Sequence, residues 1–348
     1  MTNQSKKSTL QGLIVGGFIC EYHHKGAAKG AFDEWMERLD IEIVTPKNRE
    51  ELLSDFETKY NNVKVIYLSI YCAKYLGPFD KEFINRLPES VKFITFAMAG
   101  YDPLDVNACA ERGIYVSHVE GMVDAPTADL AVYLILATLR NTTRYIDNVR
   151  QGNWHHGVPL GNDPEGKTLG ILGMGGIGKA LAKRMRGFDM HIQYNNRNRL
   201  DPEVEEKYKA TYVNFETLLQ TSDIIFVSVP LNPATYHLLD TPQFTIMKEG
   251  VFIINTARGP IINENALVDA LKTGKVAGAG LDVLEKEPEI HPDLLDHPRC
   301  TILPHIASST NESLYNMDVS TMKNMEAALL HDTLLTPVPE HKQFFAPK

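Results

Sequence analysis

Residues 168–182 read Thr168-Leu169-Gly170-Ile171-Leu172-Gly173-Met174-Gly175-Gly176-Ile177-Gly178-Lys179-Ala180-Leu181-Ala182, and this stretch decides the fold. The opening run is apolar and of strand length, and the closing run begins a helix. Between them Gly173, Gly175 and Gly178 stand at the spacing G-x-G-x-x-G. Gly173 permits the tight turn out of the strand. Gly175 lets the backbone approach a ligand, and Gly178 lets the helix pack closely on its strand. The unpaired N–H groups and dipole at the start of that helix favour an anion. Strand, loop and helix in this order make a pyrophosphate cradle. Gly173, Gly175, Gly176, Ile177 and Gly178 are therefore expected to bind a dinucleotide.

The same rhythm extends on both sides. Strands are expected at residues 168–172, 191–194, 224–229, 251–255, 277–281 and 301–303, with helices between them at 179–187 and 264–273. That predicts a parallel sheet of six strands, covered on both faces. Upstream, apolar runs at 13–16, 41–44, 63–68, 93–96 and 114–116 predict a second sheet of the same kind. Asp124 can cap a long helix with Pro126 in its first turn. Residues 128–139 are apolar almost throughout, and the helix is expected to run on towards Arg150. Residues 151–166 read as a loop. A helical tail at 309–330 has no place in the second sheet and is expected to cross back onto the first domain. The expectation is an α/β chain with one domain at 1–120 plus 310–348 and a dinucleotide-binding domain at 121–309.

Composition agrees with a soluble enzyme. The 348 residues are 43% hydrophobic and 23% charged, and the net charge of -9 argues against nucleic acid and anionic membranes as partners. The four cysteines, Cys20, Cys72, Cys109 and Cys300, form no C-x-x-C pair and read as free thiols. Residues 1–9 are polar with no apolar segment behind them, so a cytoplasmic protein is expected. The adjacent His155 and His156 have no carboxylate cluster nearby, and no metal is expected.

The strand after the loop chooses between cofactors. An NAD enzyme places Asp or Glu at its end to bond the ribose 2′-OH. Here the chain reads Tyr194-Asn195-Asn196-Arg197-Asn198-Arg199. Neutral Asn196 does not repel a 2′-phosphate, and Arg197 and Arg199 can pair with one. NADP(H) is favoured. NAD(H) is the alternative, with Asn196 bonding an unphosphorylated ribose.

Three further segments follow apolar strands: Asn255-Thr256-Ala257-Arg258-Gly259, Gly280-Leu281-Asp282-Val283-Leu284-Glu285-Lys286-Glu287-Pro288 and Leu303-Pro304-His305-Ile306-Ala307. Their polar residues should emerge at the carboxyl edge of the sheet, where ligands bind in such folds. Reducing a ketone needs a hydride and a proton for the developing alkoxide. His305 can donate the proton. Glu287 can fix its tautomer, and Arg258 can clamp a substrate carboxylate and polarise the carbonyl.

These motifs, with Ala99-Gly100-Tyr101-Asp102, resemble the D-isomer-specific 2-hydroxyacid dehydrogenases, from about residue 87 to about residue 309. Within that family the chain is similar to fungal glyoxylate/hydroxypyruvate reductases and D-mandelate dehydrogenases. The resemblance implies two Rossmann-like or flavodoxin-like parallel-sheet domains with the active site in the cleft between them. It implies that Arg258, Glu287 and His305 are catalytic, and that Arg258, His305 and the backbone of Ala99 and Gly100 bind substrate. It places Asp282 at the nicotinamide amide, Val229 and Pro230 at the adenosine, Ala257 beside the nicotinamide and Thr127 in contact with the cofactor. Thr256 and Ala307 join the cofactor contacts, and the long helix is expected in a homodimer interface. One departure is the segment Tyr67-Leu68-Ser69-Ile70-Tyr71-Cys72, which lacks the basic residue many relatives carry there. Ile70 and Tyr71 could form an apolar wall for a bulkier substrate. The expected reaction is reduction of a 2-oxo acid of the glyoxylate or hydroxypyruvate type. The alternatives are a dehydrogenase of aromatic hydroxy acids such as mandelate and a dinucleotide-sensing, corepressor-like regulator.

Overall fold

The apolar runs of the N-terminal third form five strands: β1 (Gly12–Val15), β2 (Ile41–Val44), β3 (Val65–Leu68), β4 (Phe93–Phe96) and β5 (Tyr115–Ser117). All pair in parallel, in the order β2-β1-β3-β4-β5. This is the flavodoxin-like order, which reverses between β1 and β3. The computed structural model describes residues 11–23 and 30–345, without the side chains of Tyr22 and His23. The reading made of residues 1–9 lies outside the described residues.

Seven strands form the second sheet: β6 (Thr168–Leu172), β7 (His191–Asn195), β8 (Ala210–Tyr212), β9 (Ile224–Val227), β10 (Val251–Asn255), β11 (Val276–Leu281) and β12 (Cys300–Ile302). Their order is β12-β11-β10-β9-β6-β7-β8, all parallel. The sequence predicts six, and β8 is the addition. Its residues, Ala210-Thr211-Tyr212, make no apolar run. Pairing with β7 makes it a strand, a tertiary effect.

Alternation along the central strands explains why both faces are dry there. In β9, Ile225 and Val227 join one core cluster, with Leu218, Leu267 and Leu271. Ile224 and Phe226 join the other, with Leu134, Ile135 and Leu181. A parallel sheet clad in helices demands such two-sided apolar strands.

Contacts divide the chain into two compact units, residues 1–123 with 310–348, and residues 124–309. In the first unit the C-terminal helix Asn311–His331 packs on β3, β4 and the Ile19–His23 helix. Its fully buried Asp318 accepts hydrogen bonds from the N–H groups of Ile19 and Cys20, at 3.0 and 2.9 Å, and from the Tyr67 hydroxyl. In the second unit the long helix ends at Leu139, and a separate helix spans Thr142–Arg150. The break replaces the continuous helix that apolarity suggests. Asn141 stands between them in the left-handed region, φ 52°, and its Nδ2 donates to Pro159 O at 3.1 Å. Asp124 is the first residue of the long helix rather than its cap.

Candidate active site

The glycine loop leaves β6 where the order of the second sheet reverses, between β6 and β9. Gly173 has φ 99°, and a Cβ there would lie 2.6 Å from Ser228 O and 2.9 Å from Val229 Cγ1. Both the turn and the neighbouring loop therefore require glycine. At Gly178 a Cβ would meet Gly173 O at 2.6 Å, and at Gly176 it would meet Asp124 Oδ2 at 2.0 Å. Gly175 differs, since a Cβ there would meet nothing within 4 Å. The backbone at Gly175 is thus open to a ligand, and the Gly176–Met185 helix starts beside it. An open approach next to a helix N-terminus fits the pyrophosphate of a dinucleotide.

Asn196, the residue after β7, turns back towards this loop. Its Oδ1 accepts the Met174 N–H at 2.6 Å, so its Nδ2 is the atom left to face a ribose or phosphate. Arg197 is exposed beside it. Arg199 is otherwise engaged: Nε and Nη2 bond Glu205 at 2.9 and 2.8 Å, against the reading that it faces a 2′-phosphate. That pair, with the Tyr194 hydroxyl, holds the Glu205 carboxyl down at about 2. Thr127 is buried in the long helix, and Val229 and Pro230 follow β9, with Val229 against Gly173.

The polar residues after β10, β11 and β12 are locked by one another. Asn255 closes β10 and is almost fully buried. Its Oδ1 accepts the Ala257 N–H at 3.0 Å, and its Nδ2 donates to Arg258 O at 2.9 Å. This fixes the turn Thr256-Ala257-Arg258. At Gly259 a Cβ would fall 1.9 Å from the carbonyl carbon of Leu284, so the loops leaving β10 and β11 touch backbone to backbone.

Asp282 follows β11 and is 1% exposed. Its two carboxylate oxygens accept the N–H groups of Ile306 and Ala307, each at 2.8 Å, and its backbone oxygen accepts the His305 N–H at 2.7 Å. Burial pushes its carboxyl above the ordinary range, although both N–H groups oppose this. His305 needs these bonds, because it sits at φ 57°, a conformation unfavourable for a residue with a Cβ. Glu287 Oε2 meets His305 Nδ1 at 2.8 Å, and Glu287 Oε1 accepts the Leu284 N–H at 3.0 Å. Burial works to raise the Glu287 carboxyl. The hydrogen bond and charge of His305, the Leu284 N–H and the Arg258 charge outweigh it and hold the group below its ordinary value.

A carboxylate only accepts, so Nδ1 of His305 carries hydrogen and Nε2 is the atom that gains or loses a proton. The imidazole side chain is 40% exposed and can meet a substrate. His305 and Glu287 are thus in direct contact, and Ala307 is joined to them through Asp282. Ala99 and Gly100 follow β4 in the first unit. Sequence reasoning did not assign the bracing roles of Asn255 and of Asp282 towards His305. The available signal was a polar residue closing a fully apolar strand. His155 and His156 stack with ring centroids 5.0 Å apart, and no group of metal-ligating side chains stands among the described residues.

Residues 132–307 match the family profile described as D-isomer specific 2-hydroxyacid dehydrogenase, NAD binding domain. The chain is 42% identical to 4-methyl-2-oxopentanoate reductase A of Aspergillus oryzae, over 92% of this chain and 98% of the relative. It is 42% identical to a crystal structure of a glyoxylate reductase from Paecilomyes thermophila, with a TM-score of 0.89 over 95% of this chain and 99% of that one. The holo form of Rhodotorula graminis D-mandelate dehydrogenase is 31% identical, with a TM-score of 0.84 over 94% and 97% of the two chains.

Proposed function

This chain belongs to the D-isomer-specific 2-hydroxyacid dehydrogenases and is an oxidoreductase acting on CH–OH donors, and from that premise we propose that it reduces a 2-oxo acid of the glyoxylate or hydroxypyruvate type to the D-2-hydroxy acid, with NADP(H) and with His305 as the acid. The observation that carries this reading is the 2.8 Å bond between His305 Nδ1 and Glu287 Oε2. It keeps the proton-bearing Nε2 available for a carbonyl oxygen.

A nicotinamide dinucleotide, when bound, supplies the two electrons as hydride. Gly173 to Gly178 would hold its pyrophosphate. Asn196 Nδ2 and Arg197 would meet the ribose end, Val229 and Pro230 the adenosine, and Thr127, Thr256, Ala257, Asp282 and Ala307 the remainder. Arg258 would take the substrate carboxylate and polarise the ketone as charge develops on its oxygen. His305 Nε2 would give that oxygen its proton, and Glu287 would stabilise the imidazolium before the transfer. In the first unit, the backbone N–H groups of Ala99 and Gly100 would receive the substrate carboxylate.

A bulkier 2-oxo acid, such as 4-methyl-2-oxopentanoate or phenylglyoxylate, is the second reading. It is favoured by the apolar Ile70, Met98 and Tyr101, which pack part-buried on the first core with no basic side chain in the segment 67–72. A homodimer belongs to the same proposal. Support comes from Tyr133, Ile146, Val149, Trp154 and Leu160, which are exposed on and just after the long helix. No helix among the described residues is long and apolar enough to cross a membrane.

Oxidation of NADPH and NADH against glyoxylate, hydroxypyruvate, 4-methyl-2-oxopentanoate and phenylglyoxylate tests these readings. Fastest turnover of glyoxylate or hydroxypyruvate with NADPH is expected. A higher kcat/KM for the larger acids moves the assignment to the second reading, and no turnover of any 2-oxo acid overturns both.

A further inference from the structure

We infer that His118 is a positioning residue for the substrate carboxylate, acting through the Ala99–Gly100 peptide; the inference rests on the carboxylate reading of that peptide. After β4 the chain is held by Ala97 N–H to Leu68 O, 3.0 Å, and by Val119 N–H to Met98 O, 2.9 Å. The next carbonyl, Ala99 O, meets His118 Nδ1 at 2.9 Å. A carbonyl only accepts, so Nδ1 is the donor. The Ala99–Gly100 peptide is trans and planar, so its C=O and N–H point in opposite directions. By holding the oxygen, His118 therefore aims the Gly100 N–H the other way. Among the described residues, neither the Ala99 nor the Gly100 N–H has a hydrogen-bond partner. A bond at the oxygen also polarises the amide and makes its N–H the better donor.

His118 is itself fixed from the C-terminal side of the chain. Its N–H donates to Thr336 O at 3.1 Å, and its carbonyl accepts the Thr336 hydroxyl at 2.5 Å. Its ring stands edge-on to Tyr101, with centroids 5.2 Å apart. Thr336 is held in turn by Asn324, 1% exposed on the C-terminal helix. Asn324 Oδ1 accepts the N–H groups of Leu335 and Thr336 at 2.9 and 3.0 Å, and its Nδ2 donates to Thr336 Oγ1 at 3.1 Å and to Ser320 O at 3.0 Å. Every donor and acceptor of this buried amide is used. A connected chain of hydrogen bonds thus runs from the C-terminal helix to the peptide that faces the carboxylate.

His118→Phe keeps a ring against Tyr101 and removes the donor, whereas His118→Asn returns a donor near the Nδ1 position. Both are compared with wild type for turnover of its best 2-oxo acid, for inhibition by oxamate, a carboxylate-bearing analogue that is not reduced, and for thermal midpoint. His118→Phe should raise KM and the oxamate inhibition constant together by about ten-fold, leaving kcat and the KM for NADPH within about two-fold, and His118→Asn should return to within about three-fold of wild type. The inference is overturned if His118→Phe leaves KM and oxamate inhibition unchanged, if His118→Asn is no better than His118→Phe, or if kcat and thermal midpoint fall while the cofactor KM rises with them, as for a merely structural residue. Failure of the underlying reading is seen separately: wild type would then neither reduce a 2-oxo acid nor bind oxamate.

Discussion

His305 shows how much of the site depends on single atoms. Its left-handed backbone, φ 57°, is unfavourable alone, and Asp282 supplies the acceptors that hold the turn. His305→Ala should lower kcat by the ~10²- to 10⁴-fold typical of a general acid, with cofactor affinity kept. Steady-state kinetics beside a dinucleotide titration checks this, and unchanged turnover removes His305 from its role. Glu287 adds a pH signature. Its carboxyl is held below its unfolded value, chiefly by His305 against the opposing effect of burial. Its contribution to stability is therefore present above the unfolded value and is lost as pH falls through the folded one. The thermal midpoint of Glu287→Gln should lie below wild type at neutral pH, and the gap should close in acid. A gap that stays constant with pH would contradict the assignment. Asn196 offers a third test. Asp in its place can still accept the Met174 N–H that Asn196 Oδ1 takes at 2.6 Å, so the loop should survive. It would also set a negative charge where Nδ2 now stands. Asn196→Asp should then move the NADPH:NADH ratio of kcat/KM towards NADH by about ten-fold or more, since like charges brought together cost several kcal/mol. An unchanged ratio would mean that Asn196 does not face the 2′-position.

At the scale of elements, the site exists because loops leaving neighbouring strands meet without side chains between them. Gly259 marks the closest approach, 1.9 Å from a would-be Cβ to the Leu284 carbonyl carbon. Gly259→Ala must push the two backbones apart, and Arg258 and Glu287 ride on those backbones. Overpacking of this kind costs about 1–3 kcal/mol. The variant should lose thermal stability by that measure and lose kcat disproportionately, and a stable, fully active Gly259→Ala would show the loops to be pliant. Much of this level was legible in the sequence. Most of the strands announce themselves as apolar runs, because a sheet buried on both faces needs them. The glycine loop is legible because Gly173 and Gly178 answer steric demands that no other residue meets. What escaped depends on distant partners. β8 is a strand because β7 lies beside it. The end of the long helix at Leu139 depends on Asn141 reaching Pro159 O, and Arg199 was lost to the phosphate reading because Glu205 lies within reach of it. Asn255 and Asp282 were visible as residue types. Their bracing function depends on which amides the fold brings to them.

Among the described residues, hydrophobic core clusters lie separately within residues 1–123 with 310–348 and on the two sheet faces of residues 124–309. Each unit therefore has the means for its own unfolding transition. The proposed cofactor contacts all lie within residues 124–309, from Thr127 to Ala307. A ligand that binds only the native form stabilises by RT ln(1 + [L]/Kd), about 2.7 kcal/mol at about 100 times Kd. Calorimetry with NADPH should accordingly raise the transition of the 124–309 unit, and the transition of the other unit should move less. Arg197 makes the experiment specific. It is exposed beside Asn196, while Arg199 is held by Glu205 at 2.8 Å, so Arg197 is the guanidinium left for a 2′-phosphate. Arg197→Gln should shrink the shift produced by NADPH and leave that produced by NADH as it was. Equal losses with both dinucleotides would place Arg197 away from the phosphate, and a shift confined to the 1–123 plus 310–348 unit would move the dinucleotide off the glycine loop altogether.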